Sequence, residues 1–497
     1  MAHAPLYAKL DFEALSYTWV GRNLLSALRA LRYTDRPRYL WIDALCINQD
    51  DDKEKSREVQ RMRHIYEQAA NVVLWLGEAA DGSDDAMDLA ASQTLGNVLQ
   101  GTDQHWSALT SLVRRAWWKR IWCLQELVSS RWSPIVMCGT KTVSWLKMSD
   151  THAAIRGQYT SGVKLRIFYL LYITVAWEAT DARDKIFGLV GLCDPEDRAA
   201  LVPDYSLSAR QVYEMTARHL MKESLNCLCL NAGSTRTEIF DGPLPSWIPD
   251  WSSAQSPPLW KPGCYQASCT ASNVRQRPAM IESEDANAVR IAGGFLDYIS
   301  DISNVVFADD AWSKELPTGL YHTIRSIESF MRNAMRANHP EQNPERYIDP
   351  EQSDMVWRTL ISDTEAWDDA KGSFTSISAG SCLDGAHADE ATPGNPEQLD
   401  EVVIRHIPRY ISLLSHALHK RRLFITKRGF FGLSSQHIAP GDIVAILVGG
   451  DMPFVLRESQ KSPKSPEPLR IISEAYVYGA MNGKLFRVLP KMIFTIG

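Results

Sequence analysis

The chain has 497 residues, of which 45% are hydrophobic and 23% charged, and its formal net charge is -6 at pH 7. This length exceeds what one hydrophobic core usually supports, so we expect two or three packed units of a globular protein. An acidic chain has no overall attraction for nucleic acid or for an anionic membrane, and we expect neither as a partner. Nine cysteines without regular spacing, and an N-terminus without a secretory pattern, favour a cytoplasmic location.

Short apolar runs alternate with amphipathic runs over the first 150 residues. The leucine spacing at 23–32 predicts one helix. The aspartates at 50–52 suit the positive end of a helix and predict a second one directly after them. The rhythm predicts an α/β fold, a mostly parallel sheet with helices on both faces. The predicted strands occupy residues 12–19, 38–43, 71–77 and 133–139.

Beyond residue 150 the pattern changes to helices and later to strands. The apolar run at 167–177 is too short to cross a bilayer and predicts a buried helix. Ser208 and Gln211 form a capping-box pattern that starts another helix. Three apolar segments between 441 and 480 predict a small antiparallel β unit. The predicted division is an α/β domain at 1–150, a helical extension at 151–240, a mixed region with a docking segment, helices and a mobile loop at 241–400, and the β unit at 401–497.

Several long motifs resemble a known family. "ALSYTW", "LWIDALCINQDDDKEKSREVQRMRHIYEQAANVVLWLG" and "AWWKRIWCLQEL" resemble, in order and spacing, the three motif blocks of the fungal heterokaryon incompatibility (HET) domain. "TDARDKIFGLVGL" and "LPSWIPDWS" are similar to the extension of its long members. One departure follows Trp19, where "VGRNLLSAL" replaces the strand pair that is usual in the family. The resemblance implies non-self recognition between fused fungal cells, ending in growth arrest or death, through self-association or another incompatibility protein.

The HET domain is also regarded as a distant relative of the Toll/interleukin-1 receptor (TIR) domain, a five-stranded flavodoxin-like fold. Some TIR domains cleave NAD through a glutamate in a Trp-Cys-x-x-Glu-Leu motif, which Trp122, Cys123, Glu126 and Leu127 reproduce. The resemblance therefore implies a TIR-like N-terminal domain that is a candidate NAD hydrolase. Glu126 is its implied catalytic residue and NAD its candidate substrate, and no cofactor is expected.

The chemistry around Glu126 fits this hypothesis. A continuous helix would place Trp118, Trp122 and Glu126 on one face, with Lys119 on nearly the same side. A carboxylate near the ribose stabilises an oxocarbenium ion, and nicotinamide leaves as a neutral molecule, so no general acid is needed. Tryptophan can stack on either ring of the dinucleotide. The alternative is that Glu126 forms a structural ion pair with Arg120 or with an arginine from elsewhere.

Other candidate site residues end the first two predicted strands. Asp43 could bind a ribose or cap its own loop, and capping is favoured. Ser16, Tyr17 and Trp19 would line the same crevice, although core or turn packing explains each of them equally well. No metal site is expected, since a His and a Glu three residues apart at 64–67 have no further ligand cluster nearby.

Three functions compete at this point. The first is an NAD-cleaving death effector, and the second is a non-catalytic, self-associating signalling or scaffold module. A weaker third is a small-molecule enzyme of secondary metabolism. The basic run "HKRR" at 419–422 leaves a nuclear location open.

Overall fold

The chain forms two compact units, residues 1–216 and 217–497. Trp19 lies outside the described residues, as does the predicted mobile loop at 372–401 apart from 373–374. The four-part division of the chain stays a prediction. The computed structural model describes residues 11–18, 21–91, 103–148, 166–231, 240, 242–253, 258–261, 264–269, 276–278, 280–281, 283, 285–304, 329–330, 359, 362, 367–368, 373–374, 417–458 and 468–497.

A five-stranded sheet in the order β2-β1-β3-β4-β5 forms the centre of the first unit. Its strands are β1 (Glu13–Ser16), β2 (Leu40–Trp41), β3 (Asn71–Trp75), β4 (Ile135–Cys138) and β5 (Lys141–Ser144). The first four run parallel, and β5 is an antiparallel hairpin strand beside β4. The predicted mostly parallel α/β sheet is confirmed, in the strand order of flavodoxin-like folds. The hairpin strand was missed.

The helices follow the apolar spacing of the sequence. Asp51 caps the long helix α3 (Asp52–Gln68) by accepting hydrogen bonds from the backbone N–H groups of Lys53 and Glu54. Only four residues separate β1 from α1, which leaves no room for a strand pair between them. The described helices are α1 (Gly21–Leu31), α2 (Asp43–Cys46), α3 (Asp52–Gln68), α4 (Ser83–Ala91), α5 (Asp103–Val113), α6 (Ile121–Val128), α7 (Trp145–Met148), α8 (Ile167–Ile173), α9 (Asp184–Val190), α10 (Pro195–Ala200) and α11 (Ala209–Met221).

Apolar side chains of the sheet and of α1 share one core. Leu15 and Val73 of neighbouring parallel strands are almost fully buried, and Ala27 and Leu31 of α1 pack in the same cluster. The predicted buried helix at 167–177 is confirmed over its first seven residues as α8, which ends at Ile173. The capping box is also confirmed, since Ser208 N–H donates to Gln211 Oε1 at 2.8 Å and Gln211 N–H donates to Ser208 Oγ at 3.3 Å.

The second unit is an antiparallel barrel. The long strand β7 (Val289–Ile302) pairs with β12 (Ile443–Leu447) along one part and with β10 (Arg421–Thr426) along another. These two pairings close the sheet into a ring of six strands. The predicted antiparallel β unit is therefore confirmed but larger than expected, because β6, β7, β11 and β15 were not predicted. Its strands are β6 (Met280–Ile281), β7 (Val289–Ile302), β10 (Arg421–Thr426), β11 (Phe431–Ser435), β12 (Ile443–Leu447), β13 (Pro453–Arg457), β14 (Arg470–Val477) and β15 (Lys491–Ile496), with a separate pair β8 (Trp367–Asp368) and β9 (Ser373–Phe374).

The predicted docking segment at 244–252 is buried in this second unit, but the extended conformation expected for it is wrong, because it forms turns in which the backbone N–H of Ile248 donates to the carbonyl oxygen of Pro245 at 3.0 Å. Trp247 and Ile248 are fully buried, and the backbone N–H of Ser246 donates to the carbonyl oxygen of Gly497 at 2.9 Å. Among the described residues, none of the helices combines the length and the apolar character that crossing a membrane requires.

Candidate functional site

The candidate site begins at the carboxyl end of β1. Ser16 is the last residue of this strand and pairs with Leu74 of β3, while Tyr17 follows directly. Ser16 is fully buried and Tyr17 is 2% exposed. Because β1 lies between two parallel neighbours, its carboxyl end faces the edge at which open parallel sheets bind their ligands.

The segment 116–128 brings a second set of side chains to this point. A short 3-10 turn, Ala116–Lys119, ends at Arg120, whose backbone is extended, and α6 begins at Ile121. Trp117 Nε1 donates a hydrogen bond to Ser16 Oγ at 2.8 Å, and the Arg120 guanidinium donates to the carbonyl oxygen of Tyr17. Ser16 Oγ also lies 3.8 Å from Cys123 Sγ. These contacts hold α6 against the end of β1.

Glu126 projects from α6 into this buried cluster. It is 2% exposed, and its Oε2 atom has no hydrogen-bond partner. Within the described part of the chain, this carboxylate forms no ion pair with a Lys, Arg or His side chain, although the positive charge of Arg120 acts on it. The structural ion pair that the sequence allowed is therefore not present there. A buried carboxylate without an ion-pair partner is rare, because burying its charge is costly.

Burial sets the protonation of Glu126. It raises the pKa of this carboxyl group to about 7, with the negative charge of Asp43 acting in the same direction. The positive charge of Arg120 and the hydroxyl of Ser16 act against burial but do not overcome it. A carboxyl group with this pKa is close to half ionised at neutral pH, which is typical of functional acids and bases.

Asp43 forms the wall of the cluster on the β2 side. Its Oδ1 atom accepts hydrogen bonds from Tyr17 Oη at 2.9 Å and from the backbone N–H of Ala44 at 2.7 Å. Burial, and then the charge of Asp43, raise the pKa of the Tyr17 phenol far above its ordinary value. Asp43 therefore contacts Tyr17 and the start of α2, but it is the first residue of that helix and not its cap; the choice between a structural role and ribose binding stays a prediction.

The structure does not bring every predicted residue to this cluster. The expected single helical stripe is wrong, because the chain breaks at Arg120 and leaves Trp118 and Lys119 on the preceding 3-10 turn. Trp118 Nε1 donates to the carbonyl oxygen of Leu112 at 2.9 Å, and Lys119 is exposed. Trp122 packs beside Gly188 of α9, 3.5 Å from where a Cβ there would lie. Binding roles for these three side chains stay predictions, as does the role of Trp19.

The sequence reading missed three contributors to the cluster. Trp117 supplies an indole donor, Arg120 binds a backbone carbonyl rather than a carboxylate, and Tyr66 of α3 is 1% exposed with its Oη 3.4 Å from the carbonyl oxygen of Leu15. Burial raises the pKa of Tyr66, with the charge of Glu126 as the next cause. A run of aromatic residues signals only burial, so nothing in the sequence separated Trp117 from its neighbours.

The motif "TDARDKIFGLVGL" packs against α6, the helix that carries Glu126. Its helix α9 packs closely on α6, since a Cβ added to Gly188 would lie 3.2 Å from Ile121 Cγ2. The Arg183 guanidinium fastens the start of α9 by donating to both carboxylate oxygens of Asp181 and to the carbonyl oxygen of Leu207 at 3.0 Å. This motif therefore belongs to the same compact unit as Glu126, whereas the predicted helical extension at 151–240 is divided between the two units after residue 216.

Metal binding has no support from the geometry. His64 Nδ1 and Glu67 Oε2 are 4.0 Å apart, and both side chains are well exposed. Over the described ranges, no three His, Cys, Asp or Glu side chains are grouped so that they could hold a metal ion.

Comparisons with known proteins agree with this two-part architecture, an α/β unit followed by a β-barrel. The profile of the heterokaryon incompatibility protein (HET) family matches residues 17–126, and that of the Het-6 beta-barrel domain matches residues 337–494. Heterokaryon incompatibility protein 6, OR allele, of Neurospora crassa is 25% identical over an alignment that covers 93% of this chain and 84% of that protein. No solved structure matches the chain. The chain is a fungal HET domain-containing protein.

Proposed function

We propose that this chain is a heterokaryon incompatibility effector whose HET domain hydrolyses the nicotinamide–ribose bond of NAD, with Glu126 as the catalytic residue. The supporting observation is the buried Glu126 carboxylate, one oxygen of which has no partner. A structural carboxylate is expected to be paired, whereas a carboxylate positioned for a cationic ligand or transition state is not. The family match and the name of the Neurospora relative support the incompatibility role.

The proposed reaction needs one carboxylate and water. The bond between ribose C1′ and the pyridinium nitrogen breaks, and its electron pair neutralises the nicotinamide ring. The resulting oxocarbenium ion is stabilised by ionised Glu126, and water then adds to C1′ and releases a proton to solvent. The products are nicotinamide and ADP-ribose. With a pKa of about 7, Glu126 must lose its proton to act, so turnover should rise as the pH increases through 7.

The described conformation fits a resting state. Glu126 is 2% exposed beneath Ser16 and Tyr17, so a ribose can approach it only after neighbouring side chains move. An effector of cell death has to stay silent until it is triggered. We therefore expect turnover to require self-association or another incompatibility protein.

The test is nicotinamide release by the purified full-length chain under crowding that promotes self-association. Wild-type protein should release nicotinamide, and Glu126→Gln and Glu126→Ala should not. Glu67→Gln is the matched control, because it neutralises a carboxylate of α3 that is 40% exposed and paired with Arg63. No release by proven oligomers of the wild-type chain would reject the proposal.

The second candidate is a non-catalytic module that signals by self-association. The near-complete burial of Glu126 favours it, because a group enclosed in this way can serve the fold alone. In that case Glu126→Gln would leave cell death intact in vivo, while substitutions on the outer surface would abolish it.

A further inference from the structure

An open groove lies beside the candidate site. It has a volume of about 470 Å³ and is bounded by one face of α1 and by Glu78, which follows β3. In a sheet with this strand order, the order reverses between β1 and β3, and ligands bind outside the carboxyl ends of the strands at that reversal. The groove occupies this position. Its lining residues are Arg22, Asn23, Leu25, Ser26, Arg29 and Glu78.

The residues that line the groove carry a net positive charge. Arg22 and Arg29 are seven residues apart on α1, so their guanidinium groups share one face of the helix. Within the described part of the chain, neither forms an ion pair or a hydrogen bond, although both line the groove. Glu78, the carboxylate of the lining, accepts a hydrogen bond from Ser26 Oγ at 2.5 Å. Two guanidinium groups thus remain available for an anionic ligand.

The loop after β3, which forms the wall of the groove opposite α1, is held in place by Arg115. The Arg115 guanidinium donates to the carbonyl oxygens of Leu76 at 3.1 Å, Glu78 at 2.8 Å and Ala80 at 3.1 Å. The loop after β3 is therefore fixed without any ligand. Solvated arginines are common on helices, but these two flank a cavity whose opposite wall is already fixed.

We infer that this groove binds the diphosphate of a dinucleotide, with Arg22 and Arg29 as the phosphate ligands. Planar guanidinium groups fit phosphate oxygens well, and two of them match the two charges of a diphosphate. The groove includes Glu78 after β3, and the Glu126 cluster includes Ser16 and Tyr17 at the end of the neighbouring strand β1, so one dinucleotide could place its ribose at Glu126 and its diphosphate on α1. This inference rests on the proposed function for the identity of the ligand.

The test measures binding apart from hydrolysis, by titrating the full-length chain with ADP-ribose and with inorganic pyrophosphate in a calorimeter. ADP-ribose carries the diphosphate but has no nicotinamide–ribose bond. Replacing both guanidinium groups, in Arg22→Gln/Arg29→Gln, should weaken ADP-ribose binding by roughly tenfold or more. Arg32→Gln is the matched control, because it removes one exposed positive charge just after α1 and outside the groove.

Wild-type affinity for ADP-ribose in the double variant, or no binding by the wild-type chain, would overturn the inference. The outcome is separable from that of the proposed function. Arginine-dependent binding of ADP-ribose without nicotinamide release would support the groove and reject NAD hydrolysis. Nicotinamide release with a KM for NAD that is unchanged in the double variant would reject the groove and leave hydrolysis by Glu126 standing.

Discussion

Replacing Glu126 by glutamine should change how the stability of the first unit depends on pH. The folded state raises the pKa of this carboxyl group to about 7 from an ordinary value of 4.5. The folded protein therefore binds more protons than the unfolded chain between these values, and its stability falls as the pH rises through this range. At 1.36 kcal/mol per pKa unit, the loss at pH 8 amounts to about 3 kcal/mol. Below pH 4.5 there is no loss.

Glutamine is neutral throughout this range and removes the dependence. Its buried amide N–H groups carry a cost of their own, about 1–3 kcal/mol if unsatisfied, but that cost does not vary with pH. The informative quantity is therefore the difference between the wild-type and Glu126→Gln free energies of unfolding as a function of pH. It should shift in favour of the variant by about 3 kcal/mol between pH 4.5 and pH 8.

Hydrogen exchange measured by mass spectrometry suits this test, because a chain of two compact units need not unfold in one transition. Peptides that cover β1 and α6 report the opening free energy of the unit that contains Glu126. If the difference between the opening free energies of wild type and variant stays constant from pH 4.5 to pH 8, the prediction is refuted. Such a result would mean that the folded state does not raise the pKa of Glu126.

The pH dependence of nicotinamide release and the stability of two barrel variants test the site and the barrel further. Nicotinamide release should follow the ionisation of Glu126, increasing with pH and levelling above pH 8, and a rate that falls over this range would contradict its role as an ionised stabiliser. Arg421→Met should cost about 3–5 kcal/mol in urea unfolding, because it leaves buried Glu474, 3.9 Å from the guanidinium, without a cation; Arg421→Met/Glu474→Leu should recover most of this. Gly432→Ala should cost about 1–3 kcal/mol or more, because the added Cβ would lie 2.5 Å from the carbonyl oxygen of Tyr476, and an unchanged urea midpoint would contradict that contact.

The elements predicted correctly are those whose signal is local. Asp51 at the start of α3 and the pair Ser208 and Gln211 at the start of α11 act through hydrogen bonds within one turn of the chain, so their residue types predict the outcome. The apolar spacing of α3 and the apolar strands of the sheet are local in the same sense. The missed strand β7 has two adjacent glycines, Gly293 and Gly294, in its interior, which weaken a strand signal taken alone.

The candidate site was only partly predictable because its decisive contacts join distant segments. Residue spacing placed Ser16, Tyr17 and Asp43 at strand ends; Ser16 does end β1 and Tyr17 follows it, whereas β2 stops at Trp41 and Asp43 begins α2. Spacing alone extended the tryptophan-rich helix through Arg120, where the chain turns so that its guanidinium can reach the carbonyl oxygen of Tyr17. That contact spans about a hundred residues of sequence, and no helical periodicity encodes it. The broken helix in turn changes which side chains accompany Glu126.

The raised pKa of Glu126 connects the closed conformation with the proposed chemistry. At neutral pH the unpaired charge makes the closed state less stable than it would be with a neutral side chain, so any change that exposes or pairs this charge is favoured. The nicotinamide ring of NAD is a cation, and an oxocarbenium ion concentrates positive charge at the ribose. Both would stabilise ionised Glu126, and the second would do so only during reaction. In the proposed reaction, the part of this stabilisation that arises only in the transition state would accelerate the reaction, whereas the part gained on binding NAD would contribute to affinity.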